Sequence, residues 1–308
     1  MSLSSEGGSA LGQLIALRHT NLYIEEFGRS NEEVLLYLHG GPGASCIDFT
    51  CRQAIALSGA LHVIAIDQRG VCRSDRLREE ETFGIADIIA DCEEIRTRLG
   101  FERWSVLGHS FGGYVAMKYA LQHRGSVKSV LYEAPTFDIG RSMNAIINGA
   151  LQVFERDHEP EHAEHCRQLL NRNASARELW QSVGKLWRLL GPRKDELYFH
   201  GIEPSDYSMI MEQSGEMQNE RTDASVHARK LEEEGVMFES LLPLMLLVDQ
   251  PSLLLAGMIL FAARPMGLSF CRKGGRGSAS AYTMIRQRTL SIIRMRAILR
   301  MMKRTEKR

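Results

Sequence analysis

Apolar residues in this chain fall in short runs that end abruptly at glycine, proline or charge. Residues 13–18 and 21–27 are apolar-rich and lie close enough to predict a leading hairpin. Residues 34–38 form an unbroken apolar run that stops at His39-Gly40-Gly41-Pro42-Gly43, the pattern of a buried strand entering a tight turn. A helical stretch after Ala44 then leads into alternating elements: a strand at 61–66, a helix at 85–99, a strand at 104–107, a helix at 112–122 and a strand at 127–132. Alternation at these lengths predicts an α/β fold, a mostly parallel sheet covered by helices on both faces. Thr82 is expected to cap the second helix and Gly100 to close it.

From Gly140 to Met237 the strand pattern gives way to charged sequence with helical periodicity, which reads as an inserted helical lid. Strand character returns at 251–257, around Leu253, Leu254 and Leu255. The expected division is therefore an N-terminal part of the core over 1–139, a lid over 140–237, and a C-terminal part of the core over 238–308 that turns aberrant after 257.

Composition narrows the class. A chain of 308 residues, 44% hydrophobic and 25% charged, is too long and too apolar for a disordered tail or a disulfide-stapled miniprotein. Its six cysteines form no CxxC pair and no leader pattern precedes them, so free thiols and a cytoplasmic location are expected. The longest apolar stretch is broken by Asp249, Gln250 and Pro251, and the 12 residues that remain from Ser252 to Ala263 are short of the about 20 needed to span a bilayer. Net charge is zero, yet residues 264–308 hold 13 Lys and Arg against the single acid Glu306. The last stretch differs in kind from what precedes it.

Chemistry concentrates at Gly108-His109-Ser110-Phe111-Gly112-Gly113, between a predicted strand and a predicted helix. That context gives the G-x-S-x-G pattern its meaning, because a serine on so sharp a turn is exposed, and glycines let strand and helix approach. The helix that follows aims free N–H groups at the site, where they stabilise developing negative charge. Gly41 and Phe111 are the candidate oxyanion-hole donors through their backbone N–H groups. Ser110 is the candidate nucleophile, and His39, Gly40, Gly43 and His109 are candidates for the substrate pocket. No cofactor is expected.

With the turn at 39–43, the segment Asp67-Gln68-Arg69-Gly70-Val71-Cys72-Arg73-Ser74 and the serine turn in this order, the chain resembles the α/β-hydrolase superfamily, and within it the proline iminopeptidase group. The resemblance covers roughly residues 10–257. It implies an acyl-enzyme on Ser110, with a small peptide, amide or ester as substrate and no nucleic acid or membrane partner. Cys72 departs from it by standing where the family has glycine; a positive φ there costs about 1 kcal/mol or more. The lid segment 141–234, with 17 acids against 12 bases, would suit a cationic amine.

The resemblance also implies a triad whose acid and histidine follow the serine. Neither is found: His227 is the last histidine, and no aspartate follows Gly257. Asp249 precedes its strand and so lies at the wrong end of the sheet, and Glu133, at the alternative place for an acid, lacks a histidine. His200 and His227 belong to the lid. The genetic code offers an explanation. Met258-Ile259 must contain GAT, aspartate, one base upstream, as must Met284-Ile285 and Met301-Met302, while the joins at Arg288-Thr289, Ser291-Ile292 and Ala297-Ile298 permit histidine. A slip of reading frame near Gly257 would leave an out-of-frame tail. Competing readings are a catalytically dead hydrolase fold, and a basic amphipathic helix over 290–302 that binds membrane or nucleic acid. His158-Glu159-Pro160-Glu161-His162 matches the zinc pattern H-E-x-x-H, but Pro160 is expected to start a helix and leave His158 outside it, so no metal is assigned.

Overall fold

The computed structural model describes residues 11–18, 20–198, 224–256 and 283–286. Eight strands form one sheet: β1 (Leu11–Leu17), β2 (Thr20–Phe27), β3 (Val34–Leu38), β4 (His62–Ile66), β5 (Trp104–His109), β6 (Val127–Glu133), β7 (Ser252–Ala256) and β8 (Thr283–Arg286). Their spatial order is β1-β2-β4-β3-β5-β6-β7-β8. The expected hairpin is there, with Leu14 opposite Tyr23, and β2 pairs antiparallel with β4. Every pairing from β4 to β8 is parallel.

The helices are α1 (Ile47–Phe49), α2 (Ile55–Ser58), α3 (Ile85–Arg98), α4 (Phe111–Gln122), α5 (Ile139–Arg156), α6 (Pro160–Asn171), α7 (Ala176–Leu190) and α8 (Ser225–Glu234). Between α1 and α2 the chain forms a π-helical turn at Thr50–Ala54. Burial on both faces explains the unbroken apolar runs. Leu36, Leu38, Ile64, Val106, Val130 and Leu254 pack on the side of α3 and α4, and Leu35, Tyr37, Val63, Leu107, Leu131 and Leu253 pack with Phe49 and Leu57 on the other.

One expectation needs correction. The cap of α3 is Gly84, not Thr82: the Gly84 N–H donates to Asp87 at 3.0 Å, and the Ile85 N–H donates to the Glu234 carboxylate at 3.1 Å. A carboxylate from a distant helix thus occupies the place a local hydroxyl was expected to fill, which no short-range signal reveals. Gly100 does close the helix, in the left-handed region at φ 77°. The stretch after 257, expected to turn aberrant, contributes one described strand. β8 pairs with β7, Leu254 opposite Met284, and Leu253, Leu254 and Leu255 are buried. The rest of the tail, including the joins at Met258-Ile259, Arg288-Thr289, Ser291-Ile292, Ala297-Ile298 and Met301-Met302 and the basic stretch 290–302, lies outside the described residues, as does His200.

Between β6 and β7 the described chain is helical. Asp138 accepts from the Arg141 N–H to start α5, and Ser175 and Glu178 form a reciprocal capping pair at the start of α7. Pro160 is the first residue of α6 and His158 stands before it at φ 59°, while His162 pairs with Glu159 at 2.8 Å. The two histidines of the zinc pattern therefore do not share a helical face. Among the described residues no helix is long and apolar enough to cross a membrane.

Candidate active site

Ser110 sits between β5 and α4 with φ 51° and ψ −118°, a conformation that L-residues avoid unless the surroundings enforce it. The enforcement is local. The Ser110 N–H donates to the Glu133 carbonyl at 2.9 Å, and the Ser110 carbonyl accepts from the N–H groups of Gly113 and Thr136, each at 2.9 Å. A Cβ at Gly108 would stand against the Gly112 carbonyl, and one at Gly112 would collide with the carbonyls of Leu38 and His39. These two glycines are what lets α4 leave the sheet directly under the serine. Ser110 and His109 are both half-buried, and Phe111, the first residue of α4, is buried with its ring stacked 6.0 Å from Tyr114.

The turn after β3 lies beside the serine. A Cβ at Gly40 would come within 3.0 Å of Ser110 Cβ and 3.3 Å of His109 Cδ2. Gly41 is exposed at φ 112° and Gly43 has φ 91°. A Cβ at Gly43 would press to 2.9 Å from Ala224 Cβ, just before α8. His39 was expected to line the pocket, and the structure buries it completely. Its Nδ1–H donates to the Gly40 carbonyl at 2.9 Å and its Nε2 accepts from the Gln68 N–H at 3.1 Å. Burial lowers its pKa below the usual imidazole range, which keeps the ring neutral. Both ring nitrogens of His39 are used in holding the turn.

The segment 67–74 is tied tightly into the fold. Asp67 is fully buried and accepts from the Cys46 N–H at 2.9 Å and from Arg73 Nε at 2.6 Å. Arg73 also pairs with Glu25 and lies 3.9 Å over the Tyr23 ring. Burial pushes the Cys46 thiol well up, so it stays protonated beside this cluster. Cys72, standing where the family has glycine, does adopt a positive φ of 49° and packs with Ile47 and Val71. Nothing in the local sequence foretells the partnership of Arg73 with Glu25, which lies 48 residues away.

α8 is fastened across this region. His227 is fully buried, its Nδ1–H donating to the Arg69 carbonyl at 2.7 Å and its ring 5.0 Å from Phe83. Lys230 Nζ donates to the Glu79 carbonyl at 2.8 Å, and Glu234 caps α3. Trp180 and Gln181 of α7 both donate to Glu232. His227 therefore ties a helix to the core, and burial lowers its pKa to about 4. Asp249 is exposed and paired with Arg124. Glu133, at the end of β6, is buried with its Oε2 3.5 Å from His109 Nδ1.

A strained serine between a parallel strand and a helix, beside a glycine-rich turn, in a sheet of this order, defines a class. The chain belongs to the α/β-hydrolase fold family, whose model matches residues 33–258. Among individual proteins it is similar to the proline iminopeptidase of Xanthomonas citri, 38% identical over 103 residues, which is 33% of this chain and 32% of that protein. The proline iminopeptidase of Neisseria gonorrhoeae is 34% identical over 110 residues, 36% of this chain and 35% of that protein. The matched part thus spans about a third of the length of these relatives. The crystal structure of a proline iminopeptidase-related protein from Thermus thermophilus superposes with a TM-score of 0.57 at 20% identity, covering 81% of this chain and 80% of that one, which is a likeness of fold.

Proposed function

We propose that this chain carries the nucleophile half of a serine hydrolase of the proline iminopeptidase-like group. Ser110 attacks the carbonyl of an amide or ester, the backbone N–H groups of Gly41 and Phe111 hold the resulting oxyanion, and the acyl group passes to water. The observation that carries this reading is the φ 51°, ψ −118° conformation of Ser110, fixed on both sides by backbone hydrogen bonds. The similarity to proline iminopeptidases supports a small peptide, released of its N-terminal residue, as the substrate class. On this reading the helices between β6 and β7 form the lid, and the protein works in the cytoplasm without a cofactor.

The chain as written lacks the triad histidine and acid after Ser110. The reading-frame slip near Gly257 accounts for this, and two observations favour it: the family match stops at residue 258, and the codons of Met258-Ile259 force an aspartate in the upstream frame. A fluorophosphonate probe tests the nucleophile, with labelling expected at Ser110 and lost in Ser110→Ala; labelling that persists in that variant refutes the reading. Sequencing the gene tests the slip. Restoring the upstream frame is expected to raise ester turnover at least about a thousandfold, the usual effect of a missing triad member.

A further inference from the structure

Glu133 occupies a place in the sheet where a carboxylate can serve the serine, and a histidine meets it there: its own neighbour across β5 and β6. His109 and Glu133 are paired in register, the Ser110 N–H is bound to the Glu133 carbonyl at 2.9 Å, and Glu133 Oε2 lies 3.5 Å from His109 Nδ1. The carboxylate is buried while the imidazole is partly exposed. His109 Nδ1 is itself a buried atom with no hydrogen-bond partner at this separation. Such contacts are commonly long before a ligand binds and tighten when it does.

His109 Cδ2 and Ser110 Cβ flank the same point above the Gly40 Cα, and Nε2 is bonded to Cδ2. A carboxylate facing Nδ1 keeps the proton on that nitrogen, which leaves Nε2 with its lone pair. From this geometry we infer that His109 and Glu133 form a second, short-range base for Ser110, giving the chain as written a slow esterase activity independent of residues after 256.

The step is simple in balance. Nε2 takes the Oγ proton, directly or through one water, as Oγ bonds to the ester carbonyl carbon. The carbon–oxygen bond to the leaving alcohol breaks and that oxygen departs with the electron pair. Glu133 offsets the charge on the imidazolium. The leaving oxygen takes the proton from Nε2; water, giving a proton to the freed Nε2, then attacks the acyl carbon, and that proton passes to Oγ as the carbon–Oγ bond breaks and the acid is released. His109 is the catalytic residue in this inference and Glu133 a positioning one.

The inference rests on Ser110 as nucleophile, and the experiment separates the two. Hydrolysis of p-nitrophenyl acetate by the full chain is measured alongside Ser110→Ala, His109→Ala, His109→Gln and Glu133→Gln, with thermal melting to establish that each variant folds. Ser110-dependent turnover is expected to fall about a hundredfold in both His109 variants and about tenfold in Glu133→Gln, in kcat more than KM. Added imidazole is expected to restore His109→Ala and not His109→Gln, which a merely structural role would not produce. Turnover that vanishes in Ser110→Ala but is unchanged in folded His109 variants overturns the inference and leaves the nucleophile intact. Turnover unaffected by Ser110→Ala overturns both, and a wild-type chain labelled at Ser110 but without turnover overturns the inference alone.

Discussion

The His227 ring donates from Nδ1 to the Arg69 carbonyl at 2.7 Å, joining α8 to the loop that follows β4 across 158 residues of chain. The bond fixes the tautomer and leaves a neutral imidazole in the interior. Its pKa is lowered by burial from the usual 6.5 to about 4.

This makes acid a specific threat. Above pH 6.5 both folded and unfolded chains hold His227 neutral; as the pH falls toward 4 the unfolded chain takes up a proton that the folded one refuses, and stability is lost by about 3 kcal/mol at most. Urea titrations between pH 7 and 4 are expected to show this decline, and His227→Gln, which stays uncharged, to flatten it. An unchanged slope in the variant would show that the decline comes from other groups.

Arg73 answers to two buried carboxylates at once, Asp67 and Glu25. Arg73→Ala leaves both without that cation and is expected to cost about 3–5 kcal/mol, with Arg73→Lys recovering only part because an ammonium cannot reproduce the fork. Denaturant midpoints measure both; a loss below about 1 kcal/mol for the alanine variant would contradict the account.

At Gly112 the obstacle is backbone. A Cβ there meets the carbonyls of Leu38 and His39, the latter at 2.7 Å, so Gly112→Ala must push α4 away from β3. Stability is expected to drop by about 3 kcal/mol, and fluorophosphonate labelling of Ser110 to disappear even where the variant remains folded. Normal labelling of Gly112→Ala would mean that the turn tolerates more displacement than these contacts allow.

Glu234 spans two regions by capping α3 from α8. Glu234→Ala is expected to cost about 1 kcal/mol, the usual worth of a helix cap, and to raise hydrogen exchange at Ile85 first. Unaltered exchange there would show that Ile85 finds another acceptor.

The sequence reveals most where a residue's role is local. The turn at 39–43, the glycines of the serine turn and the unbroken strands are legible because positive φ, close approach and two-sided burial each demand particular residues at particular positions. Thr82 misleads because the true partner of the α3 start lies 149 residues away. Pairings of Arg73 with Glu25, His227 with Arg69 and His109 with Glu133 are set by sheet order and helix packing, and no spacing in the chain announces them. His39 shows the converse. Its place in a motif suggests contact with ligand, whereas both ring nitrogens are spent on backbone.

Every backbone hydrogen bond that holds Ser110 in its bent conformation comes from residues 110–136. The elbow is therefore a finished socket before the polypeptide reaches its last strands. A C-terminal fragment bearing an acid and a histidine, supplied as a separate peptide, would find the attacking group already set, so that repair of such a chain is a matter of docking and not of refolding.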